Sequence, residues 1–224
     1  MRRSWCALFA LLCLPVPTAA QDTVDAQQWT LLLATVRPTD AWRLHLELQP
    51  RIGDDITAVD QVLTRWAVGR QMTSRASVWA GHAWVANVRS RGNIHEQRLW
   101  QQLSVALPSV GDWSPSLRLR IEQRFVEQWA NSSHRVRALS RFARPLDGEG
   151  RWSIALWNEV FVTLDDTQAG PADGFDRNRL FGGVRRQVTP SIDLEMGYLW
   201  QAARPRVGPH QHAHAAFVWL DLGF

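Results

Sequence analysis

The stretch Leu117-Arg118-Leu119-Arg120-Ile121-Glu122-Gln123-Arg124-Phe125 decides the fold class of this chain. Successive side chains of a β-strand point to opposite faces, so a period of two in the sequence predicts a strand. The apolar face consists of Leu117, Leu119, Ile121 and Phe125, and the charged face of Arg118, Arg120, Glu122 and Arg124. The stretch therefore predicts a strand that separates an apolar environment from a strongly polar one.

The first twenty residues predict a secretory signal peptide. Arg2 and Arg3 precede an apolar run at 5–16, and small residues lead up to Ala20, after which cleavage is expected. The apolar run is too short to span a bilayer as a helix, which needs ~20 apolar residues. We therefore divide the chain into a signal peptide at 1–20 and one mature domain at 21–224.

The mature domain is nearly neutral, and all of its basic side chains are arginines. The chain has 25 Lys+Arg and 21 Asp+Glu residues, so without Arg2 and Arg3 the balance is 23 against 21. The arginines alternate with apolar residues and glutamates, which is typical of strand faces and argues against nucleic-acid binding. Both cysteines, Cys6 and Cys13, belong to the signal peptide, so we expect no disulfide in the mature domain.

The hydropathy of the chain indicates membrane strands and not a membrane helix. Mean hydropathy is −0.24, although the chain contains 13 tryptophans. No segment after the signal peptide has the long uncharged apolar run of a membrane helix. A transmembrane β-barrel has such a composition because only alternate residues of each strand face lipid. We therefore predict an all-β fold, a single antiparallel up-and-down transmembrane barrel.

Alternation and turn residues divide the mature domain into eleven strand-sized segments. They lie at 29–36, 42–51, 62–72, 78–88, 95–107, 117–125, 135–145, 152–164, 177–188 and 192–201, with a final one that ends at Phe224. Bacterial single-chain barrels have an even number of strands, so we expect ten or twelve, with segment 29–36 incomplete or another segment missed or split. The connections are predicted to alternate between short turns and longer loops, the latter near 55, 91, 132, 170 and 207.

The charged strand faces are expected to point into the barrel, since an arginine that faces lipid at mid-depth costs roughly 2–4 kcal/mol. We predict an interior network of ion pairs formed by Arg43, Glu47, Arg51, Arg65, Glu96, Arg98, Arg118, Arg120, Glu122, Arg124, Arg135, Arg137, Glu159, Arg179, Asp193 and Glu195. Such long side chains would largely fill a narrow lumen. This interpretation argues against a wide general porin. It leaves a plugged barrel, a narrow channel with some preference for anions, or a scaffold for a site at the rim.

The order of several motifs resembles an uncharacterised bacterial outer-membrane family, domain of unknown function 2490. The motifs are Glu47-Leu48-Gln49-Pro50-Arg51, Glu96-Gln97-Arg98 with Gln101, the segment 118–124, Arg135-Val136-Arg137, Trp157-Asn158-Glu159, Phe175-Asp176-Arg177-Asn178-Arg179 with Gly182, Gly197-Tyr198 and the histidine-bearing final strand. The resemblance implies one outer-membrane barrel without a known activity. Val218, Leu220, Leu222 and Phe224 also look like the C-terminal signal that the barrel-insertion machinery reads.

Histidines and arginines near the C-terminus are candidate binding groups. His210, His212 and His214 share one strand face and are weak candidates for Zn²⁺ or Cu²⁺. The alternative is a polar strand end at the level of the lipid headgroups. Arg204 and Arg206, with a histidine nearby, could bind lipopolysaccharide phosphates, or they could belong to a generic basic loop. We expect no bound metal and no cofactor.

The longest predicted loop contains the carboxylates Asp165, Asp166, Asp173 and Asp176, which could ligate Ca²⁺. Their spacing matches no EF-hand or repeat pattern, so a solvated loop is the favoured interpretation. Enzymatic activity lacks support in the sequence, although a serine and a histidine at the rim would suit a hydrolase.

These observations predict a non-enzymatic outer-membrane β-barrel of a Gram-negative bacterium, exported through the periplasm. Its expected partners are outer-membrane lipids and lipopolysaccharide, together with the insertion machinery and periplasmic chaperones during biogenesis. One alternative is an outer-membrane lipid-modifying hydrolase. Another is a soluble periplasmic lipocalin-like binding barrel, whose apolar faces would line a cavity and whose charged faces would meet water. Period two alone does not distinguish these two orientations.

Overall fold

The computed structural model describes residues 22–90, 92–167 and 172–224, and the predicted signal peptide lies outside them. The described residues form eleven β-strands: β1 Thr23–Val36, β2 Trp42–Gly53, β3 Ala58–Gln71, β4 Ala76–Asn87, β5 Ile94–Ala106, β6 Ser114–Val126, β7 Ser133–Pro145, β8 Trp152–Thr163, β9 Gly174–Thr189, β10 Ile192–Ala203 and β11 Gln211–Gly223. Consecutive strands pair in antiparallel fashion, and β1 pairs with β11 to close the barrel. No helix among the described residues is long and apolar enough to cross a membrane.

The predicted all-β barrel of about 10–12 strands is confirmed, and its eleven strands correspond to the eleven segments counted in the sequence; only the expectation of an even number was wrong. With eleven strands, the first and the last run in the same direction, and β1 pairs with β11 in parallel from Thr23 opposite Gln211 to Thr35 opposite Gly223. The segment that seemed incomplete is the second half of β1, a wall strand of 14 residues. Its alternation is hidden because the inward side chains Leu31 and Leu33 are apolar as well.

The strands present their apolar faces outward and their charged faces to the interior. Leu46 and Leu119 are 62% and 51% exposed, whereas the adjacent inward residues Arg120 and Glu122 are 4% and 1% exposed. This orientation is the reverse of the one that a soluble lipocalin-like barrel requires. Period two therefore arises here from an apolar outside and a polar inside.

The connections do not alternate in length as clearly as predicted. The β2–β3 connection, 54–57, has four residues, as does the β3–β4 turn on the opposite end of the barrel. It is compact because Asp54, Asp55 and Ile56 are all left-handed, with φ of 53°, 53° and 64°. Asp and Asn tolerate this conformation better than most residues, whereas a β-branched isoleucine is strained in it. We call this end, which also carries the ten-residue β8–β9 connection, the loop end, and the opposite one the turn end.

One side of the interior is apolar, which the sequence analysis did not anticipate. We call this cluster the apolar wall; it consists of Trp29, Ala155, Trp157, Phe181, Leu199, Ala215 and Phe217. The rings of Trp157 and Phe181 stack with centroids 5.1 Å apart, and Phe217 meets Phe181 edge-on at 5.4 Å. These rings lie on β8, β9 and β11, so the apolar wall spans the region where β1 and β11 close the barrel.

Two glycines make room for the apolar wall. Gly183 and Gly197 face each other on β9 and β10. A Cβ atom on Gly183 would lie 2.2 Å from the carbonyl oxygen of Met196 and 2.6 Å from Cζ of Phe181. Any larger residue would therefore displace backbone as well as the phenylalanine ring.

Candidate functional site: an arginine-rich lumen

A cavity of ≈ 990 Å³ runs through the interior of the barrel, and residues of all eleven strands line it. The expectation of a largely filled lumen was therefore wrong. Many of the charged side chains pair with residues on the same or a nearby strand, so they lie along the wall. The result is a hollow, polar interior large enough for a small solute.

The first group of ion pairs joins β5 and β6. The carboxylate of Glu96 accepts hydrogen bonds from Nε of Arg98 at 2.7 Å and from Nε of Arg124 at 2.6 Å. All three side chains are less than 10% exposed. Both arginines present two nitrogens to the same carboxylate, the geometry that makes such pairs strong and directional.

The second group joins β6, β7 and β8. Glu122 accepts hydrogen bonds from Nη2 of Arg135 at 2.6 Å and Nη1 of Arg137 at 2.7 Å. Glu159 accepts from Nη2 of Arg137 at 2.8 Å and Nη2 of Arg118 at 2.8 Å. Arg137 therefore bridges the two glutamates. We call the two groups together, with Arg120, the charged wall.

The cavity carries many more cations than anions. Its lining includes the fifteen arginines 37, 43, 51, 65, 75, 89, 98, 118, 120, 124, 135, 137, 141, 177 and 179, but among the described residues only four carboxylates, Glu47, Asp60, Glu96 and Glu159. Other interior carboxylates do not line this cavity: Glu122 accepts hydrogen bonds from Arg135 and Arg137, and Asp193, Glu195 and Asp221 line a separate, smaller cavity. A solute in this cavity therefore meets a positive surface.

Two predicted arginines lie beside the apolar wall, and the nearest carboxylate contact of Arg179 is a long one, 3.8 Å from its Nη1 to Oε2 of Glu159. The guanidinium carbon of Arg51 is 3.9 Å from the ring centroid of Trp29, and its Nη2 donates to Gln49 at 2.7 Å. The guanidinium carbon of Arg179 is 4.8 Å from the centroid of the same ring, and Nε of Arg179 donates to Gln201 at 2.8 Å. These arginines cover the edge of the apolar wall where it meets the cavity.

Other predicted members form a separate group or lie apart. Near the turn end, Glu195 binds Arg141 and Asp193 accepts from Nη2 of Arg185 at 2.5 Å. Arg43 donates to the carbonyl oxygen of Asp40 in its own turn, away from the charged wall. The predicted network is thus divided in the structure, and Arg141 and Arg185 are members that the sequence analysis did not include.

Asp176 belongs to the lumen and not to a calcium loop. It lies on β9, is 2% exposed, and accepts hydrogen bonds from Nη1 of Arg135 at 3.0 Å and from Nε of Arg177 at 3.2 Å. The calcium hypothesis was wrong at this position because β9 begins earlier than predicted. Asp176 and the adjacent Arg177 contact each other because the pairing of β8 with β9 shifts register here, a bulge that the alternation of the sequence does not indicate.

The remaining loop carboxylates bind cationic or polar partners at the loop end. Asp165 accepts hydrogen bonds from the backbone N–H of His134 at 2.8 Å and from Oγ of Ser133 at 3.1 Å, and its carboxylate contacts Nδ1 of His134 at 2.6 Å. Partial burial raises the pKa of Asp165, but these hydrogen bonds lower it by more, so that it falls below its ordinary value. Asp166 pairs with Arg206. These carboxylates therefore do not converge on one cation.

Ser132 and His134 are two positions apart near the rim, a candidate serine–histidine pair for the hydrolase alternative that the sequence analysis missed. In the structure Ser133 is completely buried and donates to Asp165, and His134 contacts that same carboxylate. Among the described residues no hydrogen bond joins His134 to either serine. A serine nucleophile needs the histidine as its base, so this arrangement is not a nucleophile–base pair. It is a set of hydrogen bonds that joins the start of β7 to the β8–β9 connection at the loop end.

The C-terminal histidines lie at the outer surface. His212 stacks on Trp200 with ring centroids 5.8 Å apart, and its Nε2 is 3.3 Å from Asp22. His214 contacts the hydroxyl of Tyr198, and His210 precedes β11. The described part of the chain contains no group of three or more His, Cys, Asp or Glu side chains that could hold a metal ion.

Fold and site define a closed β-barrel with an apolar outside and an arginine-rich lumen. The chain belongs to the family of proteins of unknown function DUF2490, whose model matches residues 26–211; the expected family is thereby confirmed. An uncharacterised protein of Methylorubrum extorquens is 35% identical over 204 residues, which cover 88% of each chain. Among solved structures, the NanC porin has 12% sequence identity and a TM-score of 0.49, covering 79% of this chain and 86% of that one.

Proposed function

We propose that this protein is an outer-membrane β-barrel that admits small anions into its arginine-lined lumen and lets them pass. The observation that carries this proposal is the combination of an exposed apolar outer surface with fifteen lining arginines and four lining carboxylates. An enzymatic role is not part of the proposal.

The outer surface supports a membrane location. Large apolar side chains on successive strands are exposed, among them Leu46, Trp66, Leu99, Leu119 and Leu180, each between 49% and 62%. Soluble monomers rarely expose apolar patches larger than a few hundred Å². A continuous apolar band around a barrel is the feature by which transmembrane barrels contact hydrocarbon.

The two rims of this band support the same location. At the turn end, Arg70 lies over Trp42 at 5.6 Å and Arg186 lies over Trp152 at 5.2 Å. At the loop end, aromatic rings stack on histidines, as in the pair Trp84–His95 with centroids 5.4 Å apart. Aromatic rings next to polar groups suit the headgroup level, where one side of the ring is apolar and the other is wet.

The C-terminus supports insertion by the barrel-assembly machinery. Val218, Leu220 and Leu222 alternate on β11 with the inward residues, and the backbone N–H of Phe224 donates to the carbonyl oxygen of Thr35 at 2.9 Å. The terminal residues thus extend the seam with β1. We propose periplasmic chaperones, the insertion machinery, outer-membrane lipids and lipopolysaccharide as partners on this basis.

Anion preference follows from the charge of the lumen. Carboxylates that are not exposed to the cavity neutralise only part of the arginine charge, and the cavity lies between low-dielectric walls that strengthen the field. Small anions are therefore concentrated and cations repelled. The side chains narrow the lumen, so we expect passage of single small solutes and not of large ones.

Planar-bilayer recordings across a KCl gradient test the proposal. We expect small single-channel conductance and a reversal potential of the sign given by chloride permeation. Arg51→Gln, which removes a lining charge, should reduce that potential. Arg186→Gln removes the same charge outside the lumen, on Trp152, and should leave it unchanged. Recovery of the protein without detergent, absence of conductance, or cation selectivity would contradict the proposal.

A further inference from the structure

At mid-depth in the lumen, Trp100 of β5 lies flat against a wall of small residues. It is 2% exposed and packs with Ala67 and Ala83. A Cβ atom on Gly81 would lie 2.7 Å from Cζ2 of Trp100 and 2.3 Å from the carbonyl oxygen of Trp66. Glycine at position 81 is therefore what allows the indole to lie against β4 instead of projecting across the cavity.

Two arginines lie over this indole. The guanidinium carbon of Arg120 is 4.2 Å from the ring centroid of Trp100, and that of Arg65 is 5.8 Å from it. Arg65 binds the carboxylate of Glu47. Both cations are more than 90% buried, so their charges are poorly screened by water.

Arg120 has no carboxylate of its own. Its Nε and Nη2 donate to the neutral side chain of Gln102, at 2.9 Å and 2.5 Å. Its Nη1 is 3.8 Å from Glu122, a carboxylate that accepts hydrogen bonds from Arg135 and Arg137. The pair of Arg65 and Arg120 over Trp100 therefore has one positive charge in excess of Glu47.

Four buried polar atoms of this group have no hydrogen-bond partner among the described residues. They are the donors Nε of Arg65, Nη1 of Arg120 and Nε1 of Trp100, and the acceptor Oε1 of Glu47. Buried polar atoms are almost always paired, and an unpaired one belonging to a charged group is costly. Other lining residues, such as Arg51 and Arg124, also carry an unpaired donor, but among the described lining residues Glu47 alone carries an unpaired acceptor. This group therefore offers both donors and an acceptor to a solute in the cavity.

We infer that Glu47, Arg65, Trp100 and Arg120 form a binding site for a small organic anion that carries a hydroxyl group next to its carboxylate. The carboxylate accepts hydrogen bonds from the two guanidinium groups and the indole N–H, and the hydroxyl donates to Glu47. Chloride offers no donor for Glu47, and a plain carboxylic acid leaves that oxygen unpaired. This inference rests on the proposed function, since the solute must enter the lumen.

Titration calorimetry on the detergent-solubilised full-length mature barrel tests the site with lactate and propionate, which differ by the hydroxyl alone. We expect lactate to bind at least tenfold more tightly than propionate, because a site built to bond a hydroxyl discriminates against the analogue that lacks it. Glu47→Gln should abolish that preference. Arg120→Gln should weaken lactate binding at least tenfold, and Arg120→Lys, which keeps the charge, by less.

Arg43→Gln is the matched control, since Arg43 also lines the cavity but donates to the backbone of its own turn. It removes one lining charge without altering the site, so it should weaken lactate binding far less than Arg120→Gln does. The mobility difference between unboiled and boiled samples on a gel verifies that each variant is folded. If Glu47→Gln does not fold, the lactate affinities of Arg120→Gln and Arg120→Lys test the site instead.

The outcomes separate this inference from the proposed function. A barrel that conducts anions but binds neither acid, its unpaired atoms being hydrated by water only, overturns the inference and leaves the passage of anions intact. Equal binding of lactate and propionate, or an equal loss in Arg43→Gln and Arg120→Gln, overturns it as well. Lactate binding without conductance supports the site and contradicts passage.

Discussion

The charged wall and the apolar wall of the same lumen are stabilised by opposite means. In the charged wall, Glu122 is held by hydrogen bonds of 2.6 Å and 2.7 Å from two arginines, and its contribution depends on the position of every partner. In the apolar wall, Phe181 is 1% exposed and contributes through area and volume. The stability of the charged wall therefore depends on the identity of each side chain, whereas that of the apolar wall depends on the space that its side chains fill.

The boundary between the two walls lies at Trp29. Arg51 and Arg179 both lie over its ring and separate the apolar wall from the cavity. The aromatic residues therefore meet arginine stems and planar guanidinium groups instead of bulk water. This boundary explains how a lumen with so many charges tolerates a cluster of aromatic rings.

The largest expected effect is that of Glu122→Gln, a change that keeps the shape of the side chain. Loss of the charge leaves Arg135 and Arg137 with one buried carboxylate fewer, so we expect a destabilisation of about 3–5 kcal/mol. The midpoint of unfolding in guanidinium chloride measures this destabilisation, with tryptophan fluorescence as the signal and the barrel in lipid vesicles. Glu149→Gln, in an exposed pair with Arg151 at the turn end, is the control and should change stability by less than about 0.5 kcal/mol.

A smaller effect is expected for Phe181→Leu in the apolar wall. The substitution keeps the residue apolar and nearly fills the same space, so it should cost less than about 1.5 kcal/mol in the same unfolding measurement. A loss as large as that of Glu122→Gln would show that the apolar wall is as dependent on side-chain identity as the charged one. The two walls would then not differ in how strongly their stability depends on side-chain identity.

The smallest effect is expected outside both walls, at the hydrogen-bonded pair Asp165 and His134. Hydrogen bonds lower the pKa of Asp165 in the folded protein. Its contribution is therefore present above the unfolded pKa of about 4 and is lost as the pH falls through the lower folded value. The pair is partly exposed, so Asp165→Asn should cost on the order of 0.5 kcal/mol at pH 7.

The difference between Asp165→Asn and the natural protein should shrink as the pH falls from about 4 through the lower pKa of the folded protein, since the natural carboxylate becomes protonated over this range. Unfolding midpoints at a series of pH values measure this. A difference that grows as the pH falls below about 4 would contradict the sign assigned to Asp165.

Much of the fold could be predicted because alternation is a local property. The segment 117–125 shows both faces of β6 in nine residues, and its inward charges follow from the cost of placing arginine in lipid. The strand count could not be settled for β1, whose inward residues contact the apolar wall across the seam with β11. A strand that is apolar on both faces has no period of two to read.

The candidate site was predicted only in part. Residue type and period indicate that Arg65, Arg120 and Glu47 face the lumen. They do not indicate that Trp100 lies beneath the two arginines, since this depends on Gly81 of the neighbouring strand. Asp176 was assigned to a loop because its partner Arg135 is 41 residues away in sequence.

The all-β class and the sets of side chains that share a strand face could be read from the sequence, because polarity at period two runs along each strand, and the order of the motifs indicated the family. Only the tertiary structure decided the parallel closure of eleven strands, the hollow lumen and the separation into a charged and an apolar wall. These depend on which strands become neighbours around the barrel, and on ion pairs between residues far apart in sequence. No local pattern in the sequence specifies these contacts between distant residues.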